Sequence, residues 1–113
     1  MVVEWMRVRV APGARDRYVE VDTEVWTPGL SAEAGFLGKE VWLGEDETDL
    51  VLVIRWRSEE EWKGIEPARL EELERRFRDL FGEPFQVVET RSYRPVHEVK
   101  AGVADRSIRS RWR

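Results

Sequence analysis

The side chains with which this chain could do chemistry are its six tryptophans and a few charges set among apolar residues. Arg55 and Trp56 close an apolar run, Trp62 follows shortly after, and Trp5 and Trp26 precede them. Aromatic side chains of this size build the wall of a pocket for a flat ligand when a few polar groups converge on it. Trp56 and Trp62 are expected to form that wall, with Trp26 and Trp5 around it, and Trp42 is expected at a sheet edge or a seam between subunits. Arg55 could bind an acidic or phenolate ligand. Glu40 could serve as a base, its pKa raised by burial. The plainer reading is that the tryptophans fill core and interface space and that the strand charges Glu4, Arg7, Glu40, Arg55, Glu89 and Arg91 pair across neighbouring strands.

Several chemistries are excluded by composition. The chain has no cysteine, so it can form no disulfide and has no thiolate nucleophile or thiolate metal ligand. His97 is the single histidine. It rules out a two-histidine metal site within one chain and is the one imidazole base available. It lies just beyond the last strand, close to Tyr93, where it reads as a polar tail residue or as a base at a dimer mouth. The net charge of −4 argues against a nucleic-acid footprint over the whole domain. No apolar run approaches a membrane span and no signal segment opens the sequence, so a cytoplasmic protein is expected.

The elements that must position these residues follow from periodicity. With 113 residues, 42% hydrophobic and 37% charged, the chain suits one globular domain. Residues 2–10 read as a strand, broken by Ala11-Pro12-Gly13. Residues 14–26 run helically with Tyr18, Val21 and Val25 on one face, and Thr27-Pro28-Gly29 ends or kinks that helix, a short helical remnant through Ala34 being the second alternative before Gly35 resets the chain. A second strand is expected over 36–43, an acidic turn over 44–49 and a third strand over 50–56. Ser58 with Glu61 is a capping box that starts a helix at once. Pro67 suits the first turn of another, whose inner stripe is Leu70, Leu73, Phe77 and Leu80 or Phe81, with Gly82 and Pro84 ending it. A fourth strand is expected over 85–94.

The order β-α-β-β-α-β with right-handed crossovers places both helical layers on one side of a four-stranded antiparallel sheet, the ferredoxin-like α+β arrangement. Residues 1–95 form the domain and residues 96–113 a basic tail. The third strand does not alternate between apolar and polar, as a strand with one wet face should. The uncovered sheet face is therefore expected to be buried as well. At roughly 25 cal/mol per Å² of apolar area, leaving it wet would forfeit several kcal/mol. A two-fold homodimer packed through that face is the economical solution, and a sheet covered by the chain's own tail is the alternative.

The first strand with Pro12-Gly13, Gly35-Phe36 opening the second, and Val51 to Trp56 running into Ser58 to Trp62 resemble the antibiotic biosynthesis monooxygenase domain over about residues 2–94. The resemblance implies a dimeric α/β barrel, no cofactor, and a family that includes oxygenases converting polycyclic phenols to quinones as well as haem-degrading enzymes. The haem-degrading members carry a histidine on the second long helix, where this chain has Arg75 and Arg76, and an asparagine near the start of the first strand, whereas this chain has no asparagine. The quinone-forming members use tryptophan, asparagine, tyrosine and arginine. Trp56 matches their tryptophan, and the asparagine has no counterpart.

The tail holds Arg106, Arg109, Arg111 and Arg113 around Ile108 and Trp112. It is expected to dock on the acidic body or on a second subunit, or to stay disordered, ahead of binding single-stranded nucleic acid through its arginines and tryptophan. No metal and no membrane partner are expected. The functional expectation is a cofactor-independent monooxygenase acting on a small aromatic or enolisable compound; the alternative is a non-catalytic dimeric ligand-binding or structural module.

Overall fold

The computed structural model describes residues 1–102; the expectations for the tail beyond them lie outside the described residues. The elements follow in the order β1 (Val2–Val10), α1 (Arg15–Glu24), α2 (Trp26–Ser31), β2 (Phe36–Leu43), β3 (Asp49–Trp56), α3 (Glu59–Lys63), α4 (Pro67–Phe81) and β4 (Phe85–Tyr93). The strands form one antiparallel sheet in the order β2-β3-β1-β4, with the helices on one face. This is the ferredoxin-like arrangement expected from the element order. The sheet of a single chain is open, with β2 and β4 at its edges, and does not close into a barrel.

One difference lies in the first helix. The run expected over residues 14–26 breaks at Val25 and restarts as α2, which contains Pro28. Pro28 falls in the first turn of the new helix, where a missing N–H leaves no intrahelical bond unmade. Gly29 in the same helix lies against Leu73 of α4, so close that a Cβ there would stand 2.5 Å from Leu73 Cδ2. The start of α3 is as expected: Ser58 Oγ accepts from the Glu61 backbone N–H at 3.1 Å. Gly82 ends α4 with φ of 67°, a left-handed conformation suited to glycine.

Alternation sorts each strand between two faces. Val2, Glu4, Met6, Val8 and Val10 of β1 and Leu50, Leu52, Ile54 and Trp56 of β3 face the helices, and all the apolar ones but Met6 are buried. Tyr18 of α1, Phe77 and Phe81 of α4 and Phe85 of β4 pack on one another at centroid distances of 4.9–6.0 Å, Phe77 and Phe81 stacked and the other pairs edge-on. A second cluster gathers Val2, Leu30, Ile54, Trp56 and Ile65, with Trp26, Phe36 and Trp62 against it. The other sheet face carries cross-strand rows read from the register: Trp42, Val51, Arg7, Glu89; then Glu40, Val53, Trp5, Arg91; then Gly38, Arg55, Val3, Tyr93. No helix covers it.

Candidate functional site

Between the helices and the sheet lies a cavity of about 350 Å³. Its walls are mainly apolar: Met6, Leu52 and Ile54 from the sheet, Leu30 and Leu70 from the helices, and the aromatic rings of Trp26, Trp56 and Trp62. Apolar walls with a few polar groups placed among them are the usual make-up of a small-molecule site. The three tryptophans line the space without filling it. Glu71 and Glu74 of α4 and the exposed Val87 of β4 stand on its rim.

The polar groups come from three elements. On the helix-facing side of the sheet one row runs Lys39, Ile54, Glu4, Ser92 across all four strands. Two charged side chains thus point into the layer where the pattern otherwise demands apolar ones. Glu4 Oε1 accepts from the indole N–H of fully buried Trp56 at 3.2 Å. Lys39 Nζ donates to Asp22 Oδ2 of α1 at 2.6 Å and to Thr27 Oγ1 of α2 at 3.1 Å. An ammonium group has three donors, so two are used here and one remains. Asp22 is 1% exposed and its Oδ1 is sealed from solvent without a partner. Tyr18 completes the set, one helical turn before Asp22.

Burial dominates the electrostatics. It pushes the Glu4 carboxyl up, against the smaller opposing effects of the Trp56 hydrogen bond and of Lys39 and Lys63. It pushes the Asp22 carboxyl up and the Lys39 ammonium down, while the contact between them works to keep both charged. Burial, with the Asp22 charge beside it, also holds the Tyr18 hydroxyl well above its ordinary value.

The residues expected to share a pocket are divided between the two sheet faces. Trp26, Trp56 and Trp62 line the cavity. Trp5, Arg55 and Glu40 stand on the opposite face, because they occupy the other phase of their strands. There Arg55 is bound to Glu40 in an exposed ion pair, and Glu40 Oε1 also accepts from Trp42 Nε1 at 3.0 Å. Glu40 has its pKa lowered by these two hydrogen bonds, Trp42 first and Arg55 next. A raised pKa was expected; exposure removes the desolvation that would have produced it. Arg7 lies near Asp49 and Glu89, and Arg91 is paired with Glu89. The cross-strand pairing anticipated for the strand charges is found for Arg55 with Glu40 and for Arg7 with Glu89, whereas Arg91 meets Glu89 within β4 and Glu4 has Trp56 as its partner.

Asp22 and Lys39 were missed as site residues. A signal existed for Asp22 and none for Lys39. Asp22 follows Tyr18 by four positions and adjoins Val21 on the buried side of α1, so it belongs to the inward stripe. Lys39 is out of phase with Phe36 only because β2 is irregular between Phe36 and Gly38, and such a bulge shifts every later side chain to the other face. Among the described residues no group of His, Asp and Glu side chains is arranged to hold a metal, and no helix is long and apolar enough to cross a membrane.

A family model described as antibiotic biosynthesis monooxygenase matches residues 1–66. No curated protein sequence matches the chain. Among solved structures, the chain is similar to a monooxygenase from the gene ActVA-Orf6 of Streptomyces coelicolor, crystallised with nanaomycin D, at 20% identity and a TM-score of 0.71, covering 89% of this chain and 92% of that one. It is similar to SnoaB, a cofactor-independent oxygenase of Streptomyces nogalater, at 16% identity and a TM-score of 0.66, covering 87% and 95%. The protein Rv0793 of Mycobacterium tuberculosis is 23% identical with a TM-score of 0.60, covering 88% and 98%. At these identities the likeness of structures is one of fold.

Proposed function

The chain belongs to the antibiotic biosynthesis monooxygenase family, and we propose that its cavity binds a small phenolic or enolisable aromatic compound and oxidises it with dioxygen, without a cofactor. The observation that carries this reading is the row holding Lys39 and Glu4 inside an otherwise apolar, tryptophan-lined space. A phenol that loses its proton becomes an electron-rich phenolate, able to give electrons to dioxygen. One oxygen atom then enters the ring and the other leaves as water, converting a phenol with a free ring position to a quinone. The protein's part is to hold the ring, exclude water and place a proton acceptor and a cation at the phenolic oxygen. Trp56, Trp62 and Trp26 supply the flat walls, and the remaining donor of Lys39 suits the developing oxyanion. The named chemistry of the two Streptomyces relatives supports the reading at the level of reaction class.

The test is a panel of naphthols and anthrols offered to purified protein with no added metal or flavin, followed by tryptophan fluorescence and oxygen uptake. Saturable quenching, weakened in Trp56→Phe, with oxygen consumed in step with quinone formed, is the expected result. Quenching without oxygen uptake would instead favour a ligand-binding module. No saturable quenching, with Trp56→Phe behaving like the unaltered protein, removes the pocket.

We further propose that the chain forms a homodimer through the uncovered sheet face. Val3, Trp5 and Val51, half-buried, with Trp42 and Tyr93 about half exposed, make the accessible part of that face substantially apolar. Contiguous exposed apolar surface of this kind marks an interaction site. The charges among them are already paired within one chain, which lowers but does not remove the cost of burying them.

A further inference from the structure

We infer that Glu4 is the proton acceptor of this cavity, the group to which a phenolic hydroxyl donates, and that Asp22 is a positioning residue that holds Lys39. The inference rests on the reading of the cavity as a phenol site and assigns roles within it.

Four carboxylates line the cavity, and geometry separates them. Glu74 is engaged with Arg78 at 3.0 Å on the exposed side of α4, and Glu71 is exposed on the same helix. A carboxylate in water keeps its ordinary basicity and holds no fixed geometry toward a bound ring. Asp22 has one oxygen bonded to Lys39 at 2.6 Å, and its other oxygen is sealed from solvent. A ligand atom cannot reach it without moving α1. Glu4 meets the conditions that the others fail. It stands on β1, a central strand, so its backbone is fixed. Its Oε1 is held by Trp56 Nε1, which orients the carboxylate. Among the described residues that is its one hydrogen-bond donor. The side chain is half-buried, not sealed, so the carboxylate remains open to a ligand.

Chemistry points to the same residue. A general base works best when its pKa is brought toward the working pH, and partial burial pushes the Glu4 carboxyl up. Lys39 lies beside it in the same row, separated by Ile54. When the phenol proton passes to Glu4, the negative charge moves from the carboxylate to the phenolic oxygen and no net charge is created. Lys39 attracts the charge in both places. Asp22 keeps Lys39 charged and in place through its hydrogen bond and does not itself meet the ring.

The experiment measures binding of 1-naphthol and of 1-methoxynaphthalene, which lacks the donor, by tryptophan quenching under nitrogen across pH 4 to 8. No turnover is needed. The groups facing Glu4 are Lys39 on β2, Asp22 and Tyr18 on α1, Lys63 on α3 and Glu71 and Glu74 on α4, so the Glu4→Gln and Asp22→Asn variants are titrated alongside. A hydrogen bond to an ionised acceptor contributes about 1.5–3 kcal/mol, which corresponds to about tenfold or more in affinity. The unaltered protein is expected to prefer the naphthol by about that factor at pH 8 and to lose the preference as the pH falls and Glu4 takes up its proton. Glu4→Gln is expected to bind both compounds with little preference at any pH. Asp22→Asn is expected to keep a preference for the naphthol but to lose it at a higher pH than the unaltered protein, because Lys39, no longer kept charged by Asp22, lowers the Glu4 carboxyl less. A pH profile identical to that of the unaltered protein overturns the positioning role of Asp22. Equal binding of the two compounds by the unaltered protein, or a full preference in Glu4→Gln, overturns the assignment and leaves the pocket standing. Absence of saturable binding by either compound overturns the pocket reading, and the assignment with it.

Discussion

At the scale of the residue, the pairing of Lys39 with Asp22 carries the clearest consequence. Burial opposes both charges, and their 2.6 Å contact opposes burial. The Asp22 carboxyl is raised above its unfolded value, so its contribution to stability is full below that value and is lost as the pH rises through the folded pKa. The Lys39 ammonium is lowered, so its contribution is present above its unfolded value and is lost as the pH falls through the folded pKa. Near neutrality each charge is therefore disfavoured by burial and retained through its partner. Lys39→Met removes one partner and strands the other. Breaking a buried pair in this way costs about 3–5 kcal/mol. That loss is expected near pH 8 in urea denaturation and is expected to shrink toward pH 4, where Asp22 takes up a proton and no longer needs a cation. The double variant Asp22→Asn with Lys39→Met is expected to recover most of the loss. A single variant as stable as the unaltered protein at pH 8 would show that the pair is not held as a pair. Glu4 was legible as a buried-strand charge, since alternation puts it in phase with Val2, Met6 and Val8. Lys39 was not, because a one-residue irregularity in β2 leaves no mark in its composition and reverses the faces after it.

Elements, rather than residues, decide which tryptophans meet. The apolar run of β3 implied burial on both faces; within one chain Leu52 and Ile54 toward the helices are buried, while on the other face Val53 is buried and Val51 and Arg55 are partly exposed. What the run could not show was the phase of Arg55 and Glu40, which alternation sends to the open face together. The helices were legible from caps and stripes, with Ser58 and Gly82 at the expected ends, because each is a local signal read within one turn. The break at Val25 is set by tertiary contact instead: α2 turns away from α1 so that Gly29 can meet Leu73 of α4, and this brings Trp26 and Leu30 to the cavity wall. Gly29→Ala would drive a methyl group to 2.5 Å from Leu73 Cδ2. Overpacking of a core contact typically costs about 1–3 kcal/mol, and a loss in that range is expected in chemical denaturation. Because the two residues touch, Leu73→Val placed with Gly29→Ala is expected to cost less than the sum of the single changes. Additive losses would show that the α2–α4 contact does not set the limit.

For the whole molecule the question is what covers the uncovered sheet face. A two-fold dimer would apply the same patch of each chain to the other, so residues at the centre of the patch meet their own counterparts or near neighbours. Trp5 occupies that centre. It lies on a central strand in the row of Val53, Glu40 and Arg91, and it is half-buried already within one chain. Trp5→Lys would add a cation beside Arg91 in each subunit and bring two such cations together across the interface, where desolvation makes like charges costly. It would not touch the cavity, which lies on the other side of the sheet. The expectation is that the unaltered chain is a dimer by light scattering at micromolar concentration and that Trp5→Lys is a monomer with an unchanged circular dichroism spectrum. The cavity gives a second readout of the same experiment. If its walls belong to one chain alone, the monomeric variant retains naphthol quenching. If a second copy closes the rim beside Val87, Glu71 and Glu74, quenching weakens as the dimer dissociates. An unaltered chain that is monomeric at that concentration, or a Trp5→Lys variant that remains dimeric, would exclude the face-to-face packing.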